Sequence, residues 1–66
     1  MENGLYKNDN GSLLYAEIAI YYPDGTIIYV KDYENSDKEY NGWRWFSTRE
    51  EAYSFFGVEI PDELKK

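Results

Sequence analysis

The chain predicts an α+β fold: a three- to four-stranded antiparallel β-meander with one short C-terminal α-helix packed on one face. Turn signals divide the first two thirds of the chain into short apolar and aromatic runs, which is typical of antiparallel strands. A helix-start signature then precedes apolar residues at helical spacing. The length of 66 residues suits a single small domain over residues 1–66, which must fold without disulfides because the chain has no cysteine.

The predicted strands are bounded by residues that favour turns. Three Asn-Gly pairs begin at Asn3, Asn10 and Asn41, and a Pro-Asp-Gly sequence begins at Pro23. Asn and Gly tolerate positive φ, so each of these positions favours a turn. The turns separate predicted strands near residues 5–7, 12–22, 26–33 and 42–46, with an acidic loop at residues 34–40.

The second and third strands form a predicted hairpin. A type I turn closed by a glycine bulge fits the run from Tyr22 to Thr26, with Pro23 at its second position. On one face, the resulting register pairs Ile20 with Ile28, Ile18 with Val30, and Ala16 with Asp32. On the other face, it pairs Tyr21 with Ile27, Ala19 with Tyr29, Glu17 with Lys31, and Tyr15 with Tyr33. A half-buried hairpin normally has one polar face, whereas both faces of this one are largely apolar or aromatic.

A capping box predicts where the helix begins. Ser47 is expected to accept a hydrogen bond from the third helical amide while Glu50 reaches back, and Gly57 supplies the C-terminal cap. The helix is short, so packing on the sheet must hold it. The predicted core consists of Leu5, Leu14, Ile18, Ile20, Ile28, Val30, Phe55 and Phe56.

The charge balance restricts the partners that the chain can bind. Thirteen acidic residues against seven basic ones give a net charge of −6, which disfavours direct binding to nucleic acid or to an anionic membrane. The same balance favours a basic protein partner, although acidic surface also serves solubility. The polar, acidic start of the chain shows no signal peptide, so we expect a cytoplasmic protein.

The residue types present argue against catalysis. Histidine and cysteine are both absent, which removes the commonest general base, nucleophile and metal ligands. We therefore expect neither enzymatic activity nor a cofactor or metal site.

Two groups of residues are candidates for contact with a partner. The first is tyrosine on the second hairpin face, because tyrosine offers a large contact area with few rotors. The second is the acids around the loop before the fourth strand, which would orient a basic partner. The candidates are Tyr15, Tyr21, Tyr29 and Tyr33, with Asp32, Glu34, Asp37 and Glu39. The alternatives are strand propensity or a covering segment for the tyrosines, and a solvated surface for the acids.

The fourth strand holds a candidate ligand site. Trp43 and Trp45 share one side of it, and Arg44 lies between them in sequence on the other. Tryptophan pairs stack on sugars or bases, and Arg44 would add to such a site, while the structural alternative is that the rings fill the core.

These observations give three hypotheses of function. The first is a non-catalytic, acidic protein-binding module, in its sharpest form an inhibitor that mimics DNA and occupies the groove of a basic nucleic-acid-binding partner. In composition alone, the chain is similar to small inhibitors that bacteriophages use against host nucleic-acid enzymes, a similarity that assigns no residue. The alternatives are a structural homodimer joined by the tyrosine face or an open strand edge, and a small carbohydrate- or ligand-binding domain using Trp43 and Trp45.

Overall fold

The computed structural model describes residues 3–62, which form six strands and one α-helix. The strands are short because turns and bends interrupt the chain every few residues. In chain order the elements are β1 (Gly4–Asp9), β2 (Ser12–Ala16), β3 (Ala19–Tyr21), β4 (Ile27–Tyr29), a 3₁₀ turn (Val30–Asp32), β5 (Glu39–Tyr40), β6 (Trp43–Phe46) and α1 (Arg49–Phe56).

The α+β fold class is confirmed: the strands form antiparallel sheets, and one helix follows them. The strand order is not sequential throughout. β2, β1, β6 and β5 form a four-stranded sheet in that order, and β3 with β4 forms a separate two-stranded sheet. The four-stranded sheet is joined through β1 and β6, which pair Leu5 with Trp45 and Tyr6 with Arg44.

Two of the predicted Asn-Gly turns connect neighbouring strands. Asn10 and Asn41 both have positive φ, and each lies in a two-residue turn, between β1 and β2 or between β5 and β6. Asn3-Gly4 is not a turn, because Gly4 is the first residue of β1. A Cβ atom on Gly4 would lie 2.5 Å from the carbonyl oxygen of Ala16, so glycine is needed there for the close approach of β2.

The predicted register of the second hairpin is confirmed near its turn. Ala19 pairs with Tyr29, Ile20 with Ile28 and Tyr21 with Ile27, and the amide of Val30 donates to the carbonyl of Ile18 over 2.9 Å. Farther from the turn the prediction is wrong. The chain bends at residues 17–18, and β2 pairs with β1 instead, so that Ala16 lies opposite Leu5 and Tyr15 opposite Tyr6.

The four-stranded sheet lies between two apolar layers. On one side, Leu5, Ala16, Val30 and Trp43 are buried together, and Ile20 and Ile28 of the β3–β4 hairpin pack against them. On the other side, Tyr6 and Phe46 are buried with Ala52 of α1, and Phe56 packs at the edge. The hairpin and the helix therefore cover opposite faces of the same sheet.

Three of the predicted core residues lie at the surface. Leu14 is 42% exposed, Ile18 72% and Phe55 58%. Leu14 belongs to the outer strand β2, and Ile18 lies in the bend that separates β2 from β3. In their place the core contains Tyr6, Trp43, Phe46 and Tyr53.

The helix begins one residue later than predicted. Thr48 is the N-cap, and its side-chain oxygen accepts a hydrogen bond from the amide of Glu51 over 3.2 Å. Ser47, the predicted cap, instead donates its hydroxyl to the Glu51 carboxylate over 2.7 Å. The predicted C-cap is confirmed: Gly57 has φ 70°, and its amide donates to the carbonyl of Ser54. No helix within residues 3–62 is long and apolar enough to cross a membrane.

Candidate protein-binding surface

The outer side of the β3–β4 hairpin exposes large apolar side chains. Alternation along the strands places Ala19, Tyr21, Ile27 and Tyr29 on one side, which we call the hairpin face. Tyr21 is 72% exposed, Ile27 43% and Tyr29 44%. The inner side chains of the same hairpin pack on the four-stranded sheet, so the hairpin face is directed away from the core.

The turn holds the hairpin in this register. The amide of Gly25 donates to the carbonyl of Tyr22 over 3.0 Å, and the amide of Tyr22 donates to the carbonyl of Thr26 over 2.9 Å. Gly25 has φ 95°, which confirms the predicted glycine bulge. The Asp24 carboxylate accepts from the amide of Thr26 over 2.9 Å, and this hydrogen bond lowers the pKa of Asp24.

A groove of about 360 Å³ lies beside the hairpin face. Ile18, Tyr29 and Trp45 supply its apolar and aromatic lining. Glu17, Glu34 and Lys31 supply its charges, so two acids face one base there. The groove extends the exposed apolar surface from the hairpin toward the four-stranded sheet.

The four candidate tyrosines do not share one face. Tyr21 and Tyr29 lie together on the hairpin face, whereas Tyr33 packs against the buried cluster that contains Val30. Tyr15 lies on the helix side of the larger sheet, with its ring 4.9 Å from that of Tyr6. This correction follows from the pairing of β2 with β1, which removes Tyr15 from the second hairpin.

Tyr15 is held by the fold in two ways. Its hydroxyl donates to the backbone carbonyl of Asn3 over 2.7 Å, and its ring packs at the edge of the helix-side cluster. Partial burial and the nearby Glu17 carboxylate raise the pKa of the Tyr15 phenol. These contacts give Tyr15 a structural role within the chain.

The four candidate acids are all exposed but are in different local settings. Asp37 lies 3.7 Å from Arg44, and the Glu39 carboxylate accepts from the amide of Gly42 over 2.7 Å in the β5–β6 turn. Asp32 ends the 3₁₀ turn after β4, and Glu34 lines the groove. Asp32 and Glu34 therefore follow β4 closely in the chain, with Glu34 in the groove, while Asp37 and Glu39 contact β6 and the β5–β6 turn.

The structure separates the three residues of the candidate stacking site. Trp43 is buried in the core beside Leu5, which leaves little of its ring for a ligand. Trp45 shares that side of β6 and is only partly buried, so it reaches the groove. Arg44 is on the opposite side, with its guanidinium 5.0 Å from the ring centre of Phe55, in a cation–π arrangement.

Two large exposed apolar residues of the candidate surface, Ile18 and Ile27, are not among the predicted contact residues. The sequence could have identified Ile27 as a contact residue, because the predicted register pairs it with Tyr21. The alternation of the predicted strand assigns Ile18 to the core, because it shares the parity of Ile20. The bend at residues 17–18, which exposes it, carries no glycine or proline that would mark it.

The surface combines exposed apolar and aromatic side chains with the charged residues that line the groove. Within residues 3–62, no group of three or more Asp, Glu, His or Cys residues could hold a metal ion. No protein-family model matches the chain, and no match was found among curated proteins or solved structures.

Proposed function

We propose that this chain is a non-catalytic protein-binding module whose contact surface is the hairpin face together with the adjoining groove. The observation that carries the proposal is the exposure of Tyr21, Ile27 and Tyr29 on the outer side of a hairpin whose inner side is already packed. Contiguous exposed apolar surface is characteristic of interaction sites, and tyrosine is enriched among their energetic anchors.

Charge favours a basic partner for this surface. Residues 17–34 contain four acidic residues, Glu17, Asp24, Asp32 and Glu34, against Lys31 as the one base, a net charge of −3. A partner with lysine or arginine around an apolar centre would complement this arrangement and associate faster at low salt. Two copies meeting face to face would instead bring two sets of these acids together, which disfavours self-association through the hairpin face.

A more specific version of the proposal is that the chain competes with nucleic acid for the same partner protein. Asp32 and Glu34 are the candidate acids that support it best, because Asp32 ends the 3₁₀ turn after β4 and Glu34 lines the groove beside the hairpin face. Asp37 and Glu39 have local roles in the ion pair with Arg44 and in the β5–β6 turn. The acidic contribution to binding would therefore come from the hairpin side.

The test is affinity capture from an extract of the source organism, with identification of bound proteins by mass spectrometry. We expect a basic protein to be retained by the natural chain and released progressively as salt is added. The double variant Tyr21→Ser, Ile27→Ser is expected not to retain this basic protein. Adding DNA or RNA to the affinity capture tests the competition hypothesis, which predicts that nucleic acid displaces the chain from its partner.

The matched control is Leu14→Ser. Leu14 is as exposed as Ile27 but lies on β2 of the larger sheet and is not part of the hairpin face. Circular dichroism would establish that all variants remain folded. Retention of the same partner by the folded hairpin-face variant, or equal loss with Leu14→Ser, would refute the proposal.

A further inference from the structure

The β3–β4 sheet has two open edges. Backbone hydrogen bonds between its two strands join Tyr22 with Thr26 and Val30 with Ile18, so the backbone groups of these residues point into the sheet. In an antiparallel ladder, residues between hydrogen-bonded pairs direct their amide and carbonyl groups outward. On β4 these groups are the amide and carbonyl of Ile27 and the amide of Tyr29, because the Tyr29 carbonyl is the N-cap carbonyl of the 3₁₀ turn. No further strand pairs with either edge within residues 3–62.

The β4 edge combines outward backbone groups with accessible side chains. Both outward residues of β4, Ile27 and Tyr29, are exposed, whereas on β3 Tyr21 is exposed and Ala19, at the other outward position, is partly buried. On β2, the register and the two-residue turn place Leu13 and Tyr15 at the outward positions, and both side chains pack against the helix-side cluster. β4 contains no charged residue or proline, which are common protections of an edge strand.

We propose that the β4 edge takes up an extended segment of the partner as an additional β-strand. This inference rests on the proposed function and specifies its mode of recognition. The backbone of the added strand would bond to the outward groups of Ile27 and Tyr29, and its side chains would extend the hairpin face.

Charge defines the chemistry of the added strand. Asp24 lies in the turn before β4, and Asp32 and Glu34 follow it, so acids flank both ends of the edge. An apolar or β-branched centre flanked by lysine or arginine complements this pattern. The same acids disfavour a second copy of the chain at this edge.

The test uses a synthetic peptide in which valine–threonine–valine is flanked on each side by two lysines, with both termini capped. Amide hydrogen exchange is followed residue by residue by NMR as the peptide is added to the full chain. We expect the amides of Ile27 and Tyr29 to become protected, while those of Leu13, Tyr15, Ala19 and Tyr21 keep their exchange rates. A peptide with glutamate in place of lysine, and one with N-methylated valines, are expected to give no protection.

A proline substitution separates the backbone contact from the side-chain contact. Tyr29 has φ −94° and ψ 131°, an extended conformation that differs from the proline value by about 30° in φ. Tyr29→Pro removes an outward donor without touching the inward ladder, and Tyr29→Ala removes the same side chain but keeps the donor. We expect the proline variant to bind the peptide about three- to tenfold more weakly than the alanine variant. Retained exchange protection of Ile20 and Ile28 shows that the hairpin persists.

Several results would overturn the inference: absence of peptide binding, protection at the β2 or β3 positions instead, or equal affinity of the proline and alanine variants. Protection of Ile27 and Tyr29 that rises with protein concentration and needs no peptide would identify a second copy as the occupant. If the hairpin-face variants lose the captured partner while the β4 amides stay unprotected by the peptide, the proposed function stands and strand addition is excluded.

Discussion

Leu5 and Ile18 are both branched aliphatic residues on strands or their margins, yet the structure assigns them opposite energetic roles. Leu5 is completely buried in the middle of the sheet beside Ala16, Val30 and Trp43. Truncation of a buried leucine to alanine costs about 2.7–5.0 kcal/mol, because transfer energy is lost and a cavity remains. The typical stability of a chain of this length is about 3–10 kcal/mol. Leu5→Ala therefore removes a large part of it.

Ile18→Ala is the matched comparison. Just over a quarter of the Ile18 side chain is buried, since it is 72% exposed. Scaling the value of a fully buried aliphatic side chain by that fraction gives about 0.4–0.8 kcal/mol. Urea unfolding followed by tryptophan fluorescence measures both variants, because Trp43 is buried in the native state. Equal destabilisation by the two substitutions would refute the assignment of Ile18 to the surface.

Three further predictions concern capping, backbone approach and pH. Thr48→Ala should destabilise the chain by about 1 kcal/mol in urea unfolding, because it removes the N-cap of α1, whereas Ser47→Ala should cost less than about half of that. Gly4→Ala should lower the free energy of unfolding by about 2–4 kcal/mol, because the added Cβ would meet the Ala16 backbone. Gly11→Ala should lower it by only about 1 kcal/mol through backbone strain, because no atom lies within 4 Å of the added Cβ. Equal costs of the two substitutions would contradict the close approach of β2 to Gly4. Burial and Glu17 raise the pKa of Tyr15 above its ordinary 10.0, so the unfolded chain loses this proton first and stability should fall as pH rises from 10.0 through the folded-state pKa. Tyr15→Phe should lose that part of the alkaline decline in pH-dependent unfolding, and an unchanged decline would contradict it.

Local chemistry explains what the sequence could predict. A few adjacent residues determine the conformation of each turn, which is why the sequence predicts the turns at Asn10 and Asn41 and the Pro-Asp-Gly turn. The register next to the turn followed for the same reason. Farther from Gly25, pairing between distant parts of the chain determines the register. β2 pairs with β1 instead of extending the second hairpin.

The errors in the candidate site have the same origin. A continuous predicted strand puts Tyr15 on the same face as Tyr21, and the bend at residues 17–18 breaks that continuity. The pairing of β1 with β6 likewise has no local signal, although it decides that Trp43 is buried. The helix start was ambiguous because Ser47 and Thr48 are both suitable caps, each followed three residues later by a glutamate. Burial of Ala52 and Tyr53 accompanies the start after Thr48.

The most direct test of the central claim is a photo-CIDNP NMR measurement, which polarises tyrosine and tryptophan rings only where a dye in solution can reach them. In the free chain we expect strong signals from Tyr21 and Tyr29 and none from the buried Tyr6 and Tyr53. Adding the captured partner should quench the signals of Tyr21 and Tyr29. Silent Tyr21 and Tyr29 rings in the free chain, or signals from both that persist in the complex, would contradict the claim that the hairpin face is the binding surface.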